Sequence, residues 1–167
     1  MDDDAPPRWL TDEQTRAWIA LVSTTVWLPA ALDAQLQRDA GVSFVEYTVL
    51  SWLSMRPGRA SRMSEIAALA NVRLSHLSRI AARLEGRGWM RREPDPDDGR
   101  ATLAILTDAG WDKVVATAPG HVAEVRRLVF DGLTPAQVDQ LQQIGTRIVH
   151  AAQPDLCLPE PVQDVPG

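Results

Sequence analysis

The sequence predicts a mainly α-helical fold with one small β-hairpin: a winged helix-turn-helix unit between long N- and C-terminal helices. Three observations predict it. Helix-start signals recur along the chain, at Thr11-Asp12-Glu13-Gln14, Ser43-Phe44-Val45-Glu46 and Thr134-Pro135-Ala136-Gln137. Apolar residues recur at helical spacing in long stretches at both ends. A single alternating segment surrounds a turn-rich tip, Pro94-Asp95-Pro96-Asp97-Asp98-Gly99-Arg100.

Residues 1–10 are acidic and Pro-bearing and read as an arm. The Thr11 hydroxyl caps a first helix, with Gln14 reaching back to the cap N–H. Trp18, Leu21, Val22, Thr25, Leu28, Leu32 and Leu36 carry this helix to about Asp39, and Gly41 ends it. Pro29 removes one backbone bond inside it, so a kink is expected near Thr25–Pro29. Ser43 starts a short second helix with Phe44, Tyr47, Leu50 and either Val49 or Leu53 inward, and Pro57-Gly58 punctuates its end.

Ser64–Ala70 is a small, Ala-rich third helix, followed by a turn at Asn71-Val72-Arg73. Leu77, Ile80, Ala81 and Leu84 form one apolar stripe on the fourth helix, which stops at Gly86-Arg87-Gly88. Trp89–Glu93 and Ala101–Leu106 read as the two strands of the hairpin. Thr107 caps a fifth helix with the seam Trp111, Val114, Val115, Ala118, Val122, Val125 and Val129, and a break is expected at Pro119-Gly120. The sixth helix starts at Thr134-Pro135, with Pro at its first position, and ends near Ala152. Residues 153–167 hold four prolines and read as an extended tail.

Composition narrows the function. The chain has 167 residues, enough for one compact domain with helical extensions. Cys157 is the one cysteine, so no intrachain disulfide and no cysteine zinc cage can form, which fits a reducing compartment. No apolar run is read as approaching the roughly 18 residues of a membrane-spanning helix, and the start lacks an apolar signal core. A cytoplasmic protein without a membrane partner is expected. His76, His121 and His150 lie far apart and lack acidic partners at ligand spacing, so neither metal nor cofactor is expected. No phosphate-cradling glycine loop, paired-carboxylate site or Ser/His/Asp arrangement stands out, so the protein is not expected to be an enzyme.

Charge is distributed unevenly. The whole chain has 17 Lys+Arg against 22 Asp+Glu, a net charge of −5. Yet the stretch from Arg56 to Arg92 holds nine arginines and only two acids, Glu65 and Glu85. A basic island on a helix–turn–helix–hairpin pattern is a footprint for a polyanion, and duplex DNA is the expected one. Opposite the apolar stripe of the fourth helix stand Ser75, Arg79, Ala82 and Gly86, flanked by His76, Ser78 and Arg83. Small residues let such a helix enter a major groove about 12 Å wide, and Arg79 and Arg83 suit a guanine edge or a phosphate. Arg62 and Arg73 extend this cationic surface. The hairpin adds Arg91 and Arg92 at its base and Arg100 near its tip, where an arginine can reach a minor groove. Asp95, Asp97 and Asp98 run against DNA binding unless one of them holds a nearby arginine by a bidentate pair and the others point away. The plainer reading of Arg100 is pairing with Asp97 or Asp98.

The segment 64–110 resembles the MarR family of winged helix-turn-helix regulators. The matching pieces are Leu77-Ser78-Arg79, Arg83-Leu84-Glu85-Gly86-Arg87-Gly88, Asp98-Gly99-Arg100 and Leu106-Thr107-Asp108-Ala109-Gly110. The resemblance covers roughly 11–152. It implies a homodimer with dimerisation helices at 11–42 and 107–152 and a DNA-binding lobe at 43–106. It implies that Arg100 enters the minor groove, that Asp98 positions a neighbouring arginine, and that a small, often aromatic, effector releases a repressor from an inverted-repeat operator. Trp18, Val22, Val26, Trp27, Trp52, Met55 and Trp111 fall on helices that in this family enclose a cavity. The plainer reading makes them core and interface anchors. Two positions depart from the family pattern. Arg73 and Leu74 stand where Ser or Thr is usual at the recognition-helix entrance, and Gly99 or Asp97 stands where the wing usually has a second basic residue. The sensing cysteines of some members lie near the start of the first helix, where this chain has none. The rival class is a winged helix that binds another protein and has no operator.

Overall fold

The computed structural model describes residues 7–156. The first six residues of the acidic arm, most of the Pro-rich tail and Cys157 lie outside the described residues.

Six helices and three strands follow in the order α1 (Asp12–Ala40), α2 (Phe44–Ser54), β1 (Ala60–Arg62), α3 (Met63–Leu69), α4 (Leu74–Gly86), β2 (Met90–Pro94), β3 (Thr102–Leu106), α5 (Asp108–Val125) and α6 (Pro135–Ala152). Three of the helix starts carry complete reciprocal caps, Thr11/Gln14, Ser43/Glu46 and Thr134/Gln137. Gly41 closes α1 in the left-handed region at φ 64°, a conformation that costs a residue with a Cβ roughly 1–2 kcal/mol.

The lobe forms around one core. Val49, Leu50, Leu53, Ile66, Leu77, Ile80, Ala81, Leu84 and Ala104 are fully buried in it. Each buried Leu or Ile stabilises the fold by about 1.5–3 kcal/mol relative to an exposed one. Val49 and Leu53 are both buried, where the sequence left a choice, because α2 is packed between α1 and α5 and the sheet. The sheet has three strands in the order β1-β3-β2, all antiparallel. β1 was not expected: three residues are too few to show alternation, and pairing with β3 (Ser61 opposite Ala104) makes the strand.

One expectation about proline changes. α1 continues through Pro29 as a single helix, which is compatible with the expected kink. α5 runs through Pro119-Gly120, where a break was expected, and widens only at Arg126–Phe130, where Asp131 N–H donates to the Arg126 carbonyl. Packing along α1, with Gly120 against the Gln35 side chain, carries the helix past the missing donor.

The stem, made of α1, α5 and α6, is bare outside the lobe. Among the stripe expected for α1, Leu32 and Leu36 are buried, while Trp18, Leu21 and Val22 are exposed. α6 has no buried residue. α1 is also long and apolar enough, by length and composition, to cross a membrane, with a mean hydropathy of 1.3 in its most apolar 18-residue window. The expectation that no apolar run approaches a spanning length therefore does not hold, because residues 17–32 carry no charge.

Candidate nucleic-acid interface

α4 is amphipathic in the strict sense: Leu77, Ile80, Ala81 and Leu84 have no exposed surface, and the opposite face is open. Ser75, His76 and Arg79 are exposed on that face. The helix begins at Arg73 without a side-chain cap bond, as expected from the missing Ser or Thr. Its first N–H groups are therefore available to an acceptor from outside.

A groove of about 410 Å³ runs between the start of α4 and the wing. Arg62, Leu74, Ser78, Arg92, Asp98 and Arg100 line it. The fold thus brings Arg62, Ser78 and Arg100 together from positions far apart in sequence.

The arginines divide into two groups. Arg73, Arg79 and Arg100 are exposed, and among the described residues their side chains have no carboxylate partner. The alternative of Arg100 pairing with Asp97 or Asp98 therefore does not arise. Arg56 is half-buried without a carboxylate partner among the described residues; most of the others are held. Arg62 Nε donates to Asp95 Oδ2 at 2.7 Å. Arg83 Nε donates to Glu46 Oε1 at 2.9 Å. Arg92 donates to Glu85 at 2.6 Å and to the Ser78 hydroxyl at 3.2 Å, and Arg91 pairs with Glu93. Arg62, Ser78, Arg83 and Arg91, all expected to face DNA, therefore have internal partners. Sequence spacing cannot register such pairs, because most of them join separate elements.

The carboxylate that holds an arginine is Asp95, not Asp98. Asp95 is buried at 6% exposure; it accepts the Asp97 N–H and the Arg62 guanidinium. The Asp97 N–H holds its carboxyl below the usual range; burial opposes this, and Arg62 reinforces it. Arg62 is correspondingly raised by the Asp95 carboxylate. Asp98 instead accepts the Arg100 backbone N–H at 3.1 Å, which shapes the wing tip. Glu85 is lowered by its hydrogen bond from Arg92.

The motif around Thr107 has a steric origin. The Thr107 hydroxyl donates to the Gly88 carbonyl at 2.6 Å and accepts the Gly110 N–H at 3.0 Å. A Cβ on Gly110 would stand 1.9 Å from the Trp89 carbonyl oxygen, so only glycine fits. This contact fastens α5 to the strand that leads out of α4.

The seven residues expected to line an effector cavity do not converge. Trp18, Val22, Val26 and Trp27 are exposed on α1. Trp52 and Trp111 pack against the lobe core, and the Arg59 guanidinium covers the Trp111 ring at 4.1 Å. Met55 is half-buried at the end of α2. Of the seven, only Trp27 lines the apolar hollow between α1 and the segment running from Leu128 to Leu141. That hollow has a volume of about 570 Å³, and Leu28, Leu128, Val129, Leu133 and Leu141 are among the residues of its wall.

The MarR family model matches residues 42–102, which span α2 to the start of β3. The fold superposes on the crystal structure of Sco3205, a MarR family transcriptional regulator from Streptomyces coelicolor in complex with DNA. The two are 45% identical with a TM-score of 0.84, over 92% of this chain and 98% of that one. The HTH-type transcriptional regulator YkoM of Bacillus subtilis is 30% identical over 62% of this chain, and the HTH-type transcriptional repressor IacR of Pseudomonas putida 31% identical over 59%. The chain spans just under two thirds of YkoM (66%) and 58% of IacR. With near-complete coverage of a 45% identical regulator, the chain belongs to the MarR family.

Proposed function

We propose that this protein is a homodimeric, sequence-specific DNA-binding transcriptional regulator that represses by occupying an inverted-repeat operator. The observation that carries the reading is the set of unpartnered, exposed arginines, Arg73, Arg79 and Arg100, on the open face of α4 and on the wing. Arg59, Arg62, Arg83, Arg87, Arg91 and Arg92 are tied to carboxylates; these three remain for phosphate or a base edge. The Sco3205 complex with DNA supports the same use of this fold. IacR, a repressor, supports the direction of control.

The bare stem supports dimerisation. Trp18, Ile19, Val26 and Trp27 on α1 and Leu141, Ile144 and Ile148 on α6 are large apolar side chains with more than a third of their surface exposed. A second copy covering this face removes it from water and sets the distance between two recognition helices. An inverted-repeat operator follows from that twofold symmetry. The hollow beside Trp27 suits a small apolar or aromatic effector. Such an effector releases DNA by preferring a different helix spacing. Catalysis has no part in this reading.

The test is fluorescence-anisotropy binding to the DNA flanking the gene, across a salt series, for wild type and Arg79→Ala. Tight, salt-steep binding that Arg79→Ala loses supports the regulator. Equal, weak binding to operator and random DNA at every salt, after ligands are stripped, supports a protein-interaction module instead.

A further inference from the structure

Glu46 is the third residue of α2 and the least exposed carboxylate among the described residues, at 4%. Its two oxygens serve two helices. Oε2 accepts the Ser43 N–H at 3.0 Å, which closes the cap of α2. Oε1 accepts from Arg83 Nε of α4 at 2.9 Å, and the Arg87 guanidinium stands 3.9 Å from Oε2.

The cap alone does not call for a charge. The same chain closes its two other reciprocal caps with a neutral side chain, Gln14 on α1 and Gln137 on α6. Only at α2 is the closing residue a carboxylate, and only there does an arginine from another helix reach it. Burial raises the Glu46 carboxyl, but the Ser43 N–H, Arg83 and the Ser43 hydroxyl outweigh it and hold the group below its usual value.

The surroundings make this corner a fastening point. Arg87 Nη1 donates to the Gly41 carbonyl at 3.0 Å, and Lys113 Nζ donates to the Ala40 carbonyl at 2.7 Å. Both cations thus meet the C-terminal carbonyls of α1, where the helix carries partial negative charge. Asp33 Oδ1 of α1 accepts the Phe44 N–H at 2.7 Å. The end of α4, the start of α2 and α5 are tied to the end of α1 within one cluster. Glu46 is buried while about half of the Arg83 side chain is exposed, so removing Arg83 leaves the buried carboxylate with only Arg87, at 3.9 Å, as a cation partner.

We propose that Glu46 is a positioning residue that seats the recognition helix on the stem, with Arg83 and Arg87 as its struts and not as phosphate contacts. The proposal rests on the DNA-binding reading of α4. It assigns to this corner the link through which a change in stem spacing reaches the helix that reads DNA.

The rival role, Arg83 as a phosphate contact and Glu46 as a helix cap only, gives the opposite sign for one substitution. Glu46→Gln keeps the cap and removes the charge. Operator binding of the full chain is measured by anisotropy across a salt series for wild type, Glu46→Gln, Arg83→Gln, the double variant and Arg79→Ala. If Glu46 positions α4, each single variant binds about tenfold more weakly, the double variant is no worse than either, and the salt slope is unchanged. Tighter binding by Glu46→Gln, with a slope for Arg83→Gln shallower by about 0.9, overturns the proposal.

If wild type and Arg79→Ala bind every duplex alike, it is the DNA-binding reading that fails. Hydrogen exchange without DNA then decides the positioning role. Amides 77–87 of Glu46→Gln are expected to exchange about tenfold faster, with the hairpin unchanged. Unchanged exchange in α4 overturns it. Should Glu46→Gln not fold, Arg83→Gln alone is read by the same two measurements.

Discussion

Arg62 Nε lies 2.7 Å from Asp95 Oδ2, so the last residue of β1 is pinned to the residue that opens the wing turn. The pair spans 33 positions in sequence and closes one wall of the groove beside α4. It leaves Arg100 as the wing arginine without a carboxylate.

Asp95→Ala is therefore expected to loosen the wing while the helical core stays intact. Backbone amides of Asp97 and Ala101 lose protection from exchange, and DNA affinity falls about tenfold. The Asp95 carboxyl is depressed in the fold, so its contribution is full above the ordinary carboxylate value near 3.9 and is lost as pH falls through its lower folded value. An NMR titration is expected to show an unchanged wing between about pH 5 and pH 8, with loosening only in acid. A wing that melts near neutral pH contradicts this.

Arg79 and Arg100 are expected to fail differently. Arg79→Ala loses discrimination between operator and altered sequences, by about 1–3 kcal/mol at the position it reads. Arg100→Ala weakens binding across sequences and makes the salt dependence shallower by about 0.9. Competition binding with single-base operator variants separates the two.

The apolar face of the stem is expected to hold the dimer. Ile144→Glu and Trp18→Glu place a charge on this face, at residues 56% and 57% exposed in the single chain. Sedimentation equilibrium is expected to report monomers for both, with loss of operator binding but retention of the lobe's helical signal. A variant that stays dimeric and bound shows that its face is not the contact.

Gly110 is expected to tolerate no side chain. The clash of its Cβ with the Trp89 carbonyl involves backbone, which a rotamer change cannot relieve. Gly110→Ala is expected to destabilise the fold by about 1–3 kcal/mol or more. Thermal unfolding reads this as a midpoint lower by about 2–4 °C for each kcal/mol.

Much of this protein is legible in local pattern. The reciprocal caps announce α1, α2 and α6, since each cap needs only residues three positions apart. The stripe Leu77, Ile80, Ala81 and Leu84 names both faces of α4, because helical periodicity determines which residues are hidden together. The arginine island between Arg56 and Arg92 is plain from composition. Tertiary structure alone decided which of those arginines are free. Glu46 meets Arg83 across 37 positions and Asp95 meets Arg62 across 33, and no local rule connects such distant residues. It also made a strand of Ala60–Arg62, carried α5 past Pro119, and sent Trp27 to the stem and Trp111 to the lobe. Periodicity acts within one element and ion pairs act between elements; the sequence therefore identified the reading head, and packing selected the side chains left to read.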